Sequence, residues 1–385
     1  MVSKRVRQID VKKINRNRIF RYVNTYAPVS KPDISLELGI SLPTVLQNIN
    51  ALIKQGLVTE VGEFQSTGGR KATAIAPIRH AYYALGMDIT EEHINLVLTD
   101  LSGYVLKHHQ VYKPFCNSPE YYREIAEVVL AFKSSEVDSD KAFLGVGISV
   151  PGIVDMNNHK VILSHSHHSA NIESNRFSEF IPYPCVLINH ANAAGFAEMY
   201  HDDTCMNAVY LSLDNNVGGA ILVKRQSILN HPPFVKKLYQ GDHFRAGELG
   251  HMTLIPEGEK CYCGKKGCVD VYCSAKTLSK HTHGHLDRFF EEMENGNDTL
   301  RVIWERYLMH LAIEINNLRM IFDCSIIIGG YVGSYMQPYM SMLKDKIVMN
   351  NRQEDAAFLQ SCSYCMKGAA LGAALQQIEA FLCTV

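Results

Sequence analysis

Apolar and polar positions alternate with three different periods along the chain. From Lys12 to Tyr26 the apolar residues Ile14, Ile19, Phe20 and Val23 recur at roughly helical spacing among Lys13, Arg16, Arg18 and Arg21, which predicts an amphipathic helix with a basic outer face. Ser30 then caps a second, short helix. Pro32 suits its first turn, where the missing N–H has no partner to lose, and Asp33 has the sign the helix dipole prefers; Gly39 ends it. Ser41 starts a third helix, closed by Gly56, in which Val45, Ile49, Leu52 and Ile53 form a buried stripe and Thr44, Gln47 and Asn48 lie off it. Two helices joined across Gly39, the second with small polar residues outward in its first half, predict a helix-turn-helix. Residues 57–61 and 72–75 follow as two short strands of a wing, around the turn 66–71.

After Pro77 the period shortens. Residues 83–89, 94–100 and 104–109 predict a meander of strands, 119–134 a helix, and 145–150 a buried strand ending at Pro151-Gly152. Strands and helices alternate from there on, so the class is α/β, in two lobes given the length of 385 residues. Residues 300–322 carry Ile303, Trp304, Leu308, Leu311, Ile315 and Leu318 at helical spacing, as in a core or dimer helix.

Composition adds little until it is divided. A chain with 46% hydrophobic and 20% charged residues is that of an ordinary globular protein, no stretch has the apolar length of a membrane span, and the basic, polar N-terminus lacks the apolar core of a signal peptide. The expected location is the cytoplasm. The net charge is -1, but residues 1–80 hold 13 Lys/Arg against 5 Asp/Glu and the remainder 25 against 34. A basic segment that also carries a helix-turn-helix pattern points to DNA. The candidate contacts are Ser41, Thr44, Gln47 and Asn48 on the third helix, with Gln and Asn able to bond adenine edges, and Arg70 and Lys71 in the wing turn, where paired glycines let the backbone approach a groove. The alternatives are a solvated basic hairpin and a protein-interaction module.

Three of the eleven cysteines crowd into Cys261-Tyr-Cys263-Gly-Lys-Lys-Gly-Cys268, and His251 lies nine intervening residues upstream. Three soft thiolates and an imidazole are a Cys3His set for tetrahedral Zn2+, and four protein ligands leave no open position, so the zinc is expected to be structural. The alternative is a cluster of reduced structural thiols. Cys273 falls outside the pattern and suits a core. Residues 164–168 and the alternating His281, His283 and His285 lack Cys or carboxylate partners and suit polar loops.

The basic winged helix, Gly68-Gly69-Arg70-Lys71, Gly147-Ile148-Ser149-Val150-Pro151-Gly152-Ile153-Val154-Asp155, Gly247-Glu248-Leu249-Gly250-His251 and the cysteine loop, in this order, resemble the ROK family of repressors, open reading frames and sugar kinases. The resemblance implies a winged helix at 1–80 and a two-lobed, actin-like (ribonuclease-H-like) fold at 81–385. Lobe one would span about 81–190 plus a C-terminal helix at about 366–385; lobe two would span about 191–365 and hold the zinc loop. It also implies a sugar site in the cleft, with His251 touching both metal and sugar, and a homodimer or homotetramer.

Set beside the kinases of that family, the chain departs in three places. His190 follows Asn189 where the kinases carry Asp as the base; Asp88-Ile89-Thr90-Glu91-Glu92 puts two carboxylates where polyphosphate would approach; and residues 213–219 keep only their later glycines. Ile326-Ile327-Ile328-Gly329-Gly330 matches the adenosine-side glycines, a weak signal. The expectation is that catalysis is lost and that sugar recognition persists through Asn189, Glu248, His251 and Asp270, the last one methylene shorter than the usual Glu. The protein is thus expected to be a sugar-responsive repressor that binds operator DNA; the rivals are an active ATP-dependent sugar kinase and a constitutive DNA-binding protein.

Overall fold

A computed structural model of the chain describes residues 8–65, 71–137, 140–163, 172–202, 206–224, 236–351 and 355–385. Helix α1 (Gln8–Tyr26), strand β1 (Val29–Ser30), helices α2 (Lys31–Leu38) and α3 (Leu42–Lys54), and strands β2 (Val58–Glu63) and β3 (Thr73–Pro77) form the N-terminal unit. Ser30 makes a complete capping box with Asp33, and Gly39 closes α2 in the left-handed conformation. Ile19, Phe20, Val23, Ile34, Leu38, Val45, Ile49 and Leu52 are fully or almost fully buried and pack into one core. The wing gains a third strand, because β1 pairs with β3 on the side away from β2.

Several expectations for these helices change. Ile14 is 50% exposed, because five residues before Ile19 lies on the far side of the helix; Ile53 is 38% exposed. Arg18 and Arg21 do not form an outer basic face. The Arg18 guanidinium is buried and donates to the Leu38 carbonyl at 3.0 Å, while Arg21 turns toward the C-terminal helix. A polar stripe predicts solvent only when no other part of the chain covers it.

The rest of the chain repeats one topology twice. Strands β4 (Tyr83–Ile89), β5 (His93–Asp100) and β6 (Val105–Tyr112) form an antiparallel meander, followed by helix α4 (Pro119–Ser134) and β7 (Phe143–Val150). The β8 (Ile153–Asp155) and β9 (Lys160–Leu163) hairpin and the short α5 (Ser174–Ser178) lead to β10 (Cys185–Asn189). The sheet order is β10-β7-β4-β5-β6, with the β4–β7–β10 side parallel. Helix α6 (His190–Tyr200) crosses to the second meander, β11 (Ala208–Leu213), β12 (Val217–Lys224) and β13 (Lys236–Leu238). Helices α7 (Asp270–Cys273), α8 (Ala275–Ser279), α9 (Leu286–Glu294) and the long α10 (Asp298–Phe322) come next. They precede β14 (Ser325–Gly329), α11 (Gly330–Gly333), α12 (Met340–Asn350) and β15 (Leu359–Ser361). Its order, β13-β12-β11-β14-β15, again places a meander on one side of a founding strand and parallel strands on the other.

The last helix, α13 (Gly368–Leu382), returns to the first sheet and lies directly on it. A Cβ at Gly86 would stand 1.7 Å from the Ala370 carbonyl oxygen, and one at Gly147 1.9 Å from that of Ala373, so both strands need glycine where the helix touches them. Helix α6 packs on α13 on one side and on β11 and β12 on the other, and so stands between the lobes. Helix α1 docks on the far end of α13. Both Arg21 terminal nitrogens donate to the Glu379 carboxylate at 2.7 Å, Asn17 donates to the Leu382 carbonyl, and Ser102 donates to Asn24 at 2.7 Å. Among the described residues no helix is long and apolar enough to cross a membrane.

Candidate functional site

The strand ends of both sheets open into a cleft of about 180 Å³. Asn189, His190, Glu91, Asp214, Glu248 and Tyr262 are among the residues that line it. Asn189 ends β10 and caps α6. Its side-chain oxygen Oδ1 accepts the Asn192 N–H at 3.0 Å, and its side-chain Nδ2 donates to the Gly152 carbonyl at 2.8 Å.

His190 is the first residue of α6, and its ring is held from both lobes. Nδ1 lies 2.8 Å from an Asp88 oxygen, and Nε2 lies 3.4 Å from an Asp214 oxygen. Asp88, near the end of β4, also accepts from Ser149 at 2.7 Å. Asp214, just after β11, accepts from Ser212 at 2.5 Å and from the Tyr331 N–H at 2.9 Å. Burial and the positive end of α6 both oppose charge on the ring, but the flanking carboxylates outweigh them and hold the His190 pKa well above its ordinary value. Burial likewise opposes charge on Asp214, and His190, with Ser212 and the Tyr331 amide, holds that carboxyl below its usual range. The result is an imidazolium between two carboxylates, one from each lobe. Both ring nitrogens are engaged, so the ring has no free lone pair with which to take a hydroxyl proton.

The glycine that follows β14 serves this arrangement. Gly330 has φ +78°, and a Cβ there would stand 2.6 Å from the Leu213 amide nitrogen and 2.9 Å from the Asp214 carboxyl carbon. The turn therefore seats Asp214.

Glu248 lines the cleft, but Asp270 and His251 are not among its lining residues. Asp270 is buried at the start of α7 and accepts the Val217 N–H at 2.6 Å, so its short side chain is drawn to the backbone at the start of β12. His251 directs Nδ1 toward the Cys261 sulfur, at 3.8 Å, and Nε2 toward the Tyr262 hydroxyl, at 3.3 Å. Tyr262 is the residue that reaches the cleft from this loop. Nothing in the sequence marks it, because a tyrosine between two ligand cysteines has no periodicity or motif of its own that points to a cleft.

His251, Cys261, Cys263 and Cys268 place their ligand atoms within 4.8 Å of one another. The Cys263 and Cys268 sulfurs are 3.7 Å apart. A tetrahedron with zinc–sulfur bonds of about 2.3 Å has edges of about 3.8 Å, so this donor set fits Zn2+ in spacing as well as in chemistry. Lys265 donates to the His251 carbonyl at 2.8 Å and closes the loop. Cys273 is fully buried, and His281, His283 and His285 are exposed.

On the N-terminal unit a second surface stands out. Pro43, Thr44, Leu46, Gln47 and Asn50 line an open groove along α3, and Ser41 at its N-terminus bonds Thr44 at 2.8 Å. Asn48 does not join them. It is 1% exposed and donates to the Thr44 carbonyl at 2.8 Å, so Asn50, two residues on, is the outward amide. Lys71 is exposed and pairs with Glu63 at 3.6 Å; Arg70 and the histidines at 165, 167 and 168 lie outside the described residues.

Known proteins match both parts of the chain. The profile of the ROK family matches residues 84–379, and that of the winged helix-turn-helix DNA-binding segment matches residues 14–59. A xylose repressor of Bacillus spizizenii is 31% identical over 279 residues, 71% of this chain and 69% of the relative. The DNA-binding transcriptional dual regulator NagC of Escherichia coli K12 is 23% identical over 289 residues, 73% of this chain and 67% of its own. Among solved structures, a ROK family transcriptional regulator described as a homolog of the E. coli MLC protein covers 97% of both chains with a TM-score of 0.75 at 18% identity, an agreement of fold. An N-terminal winged helix-turn-helix thus precedes an actin-like pair of lobes, and the chain belongs to the ROK family.

Proposed function

We propose that this protein is a one-component transcription regulator, a repressor that binds operator DNA through its winged helix and responds to a sugar or sugar derivative in the cleft. The observation that carries this reading is the His190 bridge. Where a sugar kinase needs a free base, this chain has a charged ring spent on joining Asp88 to Asp214. Relatives named as a xylose repressor and as an N-acetylglucosamine repressor make xylose and N-acetylglucosamine the first effectors to test.

Residues 1–80 are the DNA-reading unit. Ser41, Thr44, Gln47 and Asn50 form the base-facing side of α3. Helix α3 carries no charge before Lys54, so phosphate contacts fall to the exposed Lys12 and Lys13 and to Arg70 and Lys71 of the wing. Asn48 supports the helix from within. In residues 81–385, Glu248, Asn189 and Tyr262 meet the sugar, while Asp270 and His251 position that wall from behind.

Zn2+ would be held by His251, Cys261, Cys263 and Cys268 and would supply a closed, purely structural link that fixes the loop bearing Tyr262. Sugar acts by differential affinity for two arrangements of the lobes, and α13 carries the difference to α1 through Glu379 and Arg21. The assembly is a homodimer or homotetramer that presents paired heads to the operator.

The test joins three measurements on the full-length protein. A random duplex pool yields the operator. Calorimetry against xylose, glucose and N-acetylglucosamine then yields the effector, and the operator isotherm is repeated with it at fixed salt. The reading requires a sugar that shifts operator affinity and no ADP release with that sugar and ATP. Turnover with ATP that His190→Ala abolishes would overturn it.

A further inference from the structure

Cys362 and Cys365 lie in the turn that joins β15 of the second sheet to α13 on the first, the chain's return crossing between lobes. Their sulfurs are 3.7 Å apart in a Cys-x-x-Cys spacing, and the Cys365 amide bonds the Cys362 sulfur. Among the described residues His251, Cys261, Cys263 and Cys268 are the only metal-competent group of three or more, so this pair is a dithiol and not a second metal site. Cys365 sits at φ +46°, a left-handed conformation that a β-carbon disfavours. The turn is anchored on both sides. Glu198 of α6 accepts the Ser363 and Tyr364 amides at 2.8 and 2.9 Å, and the Cys362 amide donates to Ile328 of β14 at 2.8 Å. Cys365 also lines a small cavity of about 10 Å³ with Asp88, His190 and Asp214, beneath the cleft.

We propose that Cys362 and Cys365 are a reversible dithiol–disulfide couple, oxidised by hydrogen peroxide, whose closure resets α13 and through it the DNA-binding head. The second half rests on the regulator reading above. Burial pushes the Cys362 thiol up to about 12, so that sulfur rests protonated and Cys365 is the one that meets the oxidant. The Cys365 sulfur attacks one peroxide oxygen, the O–O bond breaks, and the other oxygen leaves as water with the thiol proton. Cys362 then attacks the sulfenic sulfur, and its hydroxyl leaves as a second water with the Cys362 proton. Two thiols lose two hydrogens and two electrons, and the peroxide is reduced to two waters. Closure must bring the sulfurs from 3.7 Å to a bond of about 2.05 Å. With both flanks tied down, the displacement falls on the first turn of α13, whose other end holds Arg21.

Residues 353–367 form one tryptic peptide that contains both cysteines and no other, and the zinc-loop cysteines lie outside it, in peptides 261–265 and 267–276. Zinc-loaded full-length protein is treated with hydrogen peroxide, alkylated and digested, and its affinity is measured for the duplex that the reduced protein selects from a random pool. The expected results are a 353–367 peptide lighter by two hydrogens, restoration by dithiothreitol, retained zinc, and an affinity change of about five-fold or more. Cys365→Ser and Cys362→Ala should bind like the reduced wild type and ignore peroxide. The proposal is overturned if both sulfurs of 353–367 remain alkylatable once the exposed Cys116 and Cys383 are oxidised, or if the disulfide forms and the isotherm does not move. A pool that yields no duplex sinks the regulator reading instead, and the peptide mass still decides the couple.

Discussion

His190 illustrates how one side chain can change the chemistry of a whole pocket. Two carboxylates brought together from separate lobes repel unless a cation lies between them, and here the cation belongs to the chain. His190→Ala should therefore cost about 3 kcal/mol of stability at neutral pH, because it leaves Asp88 and Asp214 uncompensated. A raised histidine pKa contributes stability that is complete below the ordinary value and lost as pH rises through the folded value. The difference between wild type and variant should accordingly persist through neutrality and shrink only in alkali. Denaturant titrations across pH read this, and nitrogen-detected NMR should find both His190 ring nitrogens protonated at pH 7.5.

Glu314 on α10 gives the opposite case. It is fully buried, neither carboxylate oxygen has a described partner, and burial pushes its pKa from 4.5 up to about 7. Its favourable state is the protonated one, complete below pH 4.5 and lost as pH rises through about 7. Glu314→Gln should be neutral at pH 4.5 and stabilising at pH 8, by at most roughly 3 kcal/mol at about 1.4 kcal/mol per pKa unit. An equal effect at both pH values would contradict the assignment.

Among the elements, α13 has the widest reach. It begins at the interlobe crossing, lies on the first sheet through Gly86 and Gly147, and ends against α1. The Arg21–Glu379 pair is largely buried, at 13% and 17% side-chain exposure, so removing one partner strands the other charge. Arg21→Ala should lower stability by about 3 kcal/mol, and the Arg21→Ala/Glu379→Ala double variant by less than the sum of the single ones. Sugar affinity should survive in the double variant while the effect of sugar on operator binding weakens. Calorimetry and operator isotherms on the same preparations separate the two. The elements were also the most legible level in the sequence. Ser30, Asp33 and Gly39 mark the ends of α2, and Ser118 and Pro119 mark the start of α4, because caps and proline act within one turn of chain. Arg18, Arg21 and Asn48 were misplaced because helical spacing tells which residues share a face and not what covers that face.

For the molecule as a whole, metal and cleft should be coupled. If zinc fixes the loop that carries Tyr262, chelation or Cys263→Ser should lower the melting temperature by roughly 5 °C or more and weaken sugar binding together, with zinc restoring both. Loss of stability with unchanged sugar affinity would separate the metal from the cleft wall. The two lobes share one strand order, which the sequence conceals because matching strands need only matching burial and not matching residues.

By itself the sequence determined what depends on short separations along the chain: the helix-turn-helix caps, the strand runs, the cysteine spacing, and the absence of a kinase's Asp at 190. Of the four sugar-site residues it suggests, Asn189 and Glu248 line the cleft and His251 and Asp270 do not. Only tertiary structure decided that His190 bridges Asp88 to Asp214, that Asp270 turns to the Val217 amide while Tyr262 reaches the cleft, and that Arg21 binds Glu379, 358 residues away. The reason is physical. Backbone preferences and periodicity are local, whereas a charge takes its state and direction from whatever the folded chain brings within a few ångströms of it.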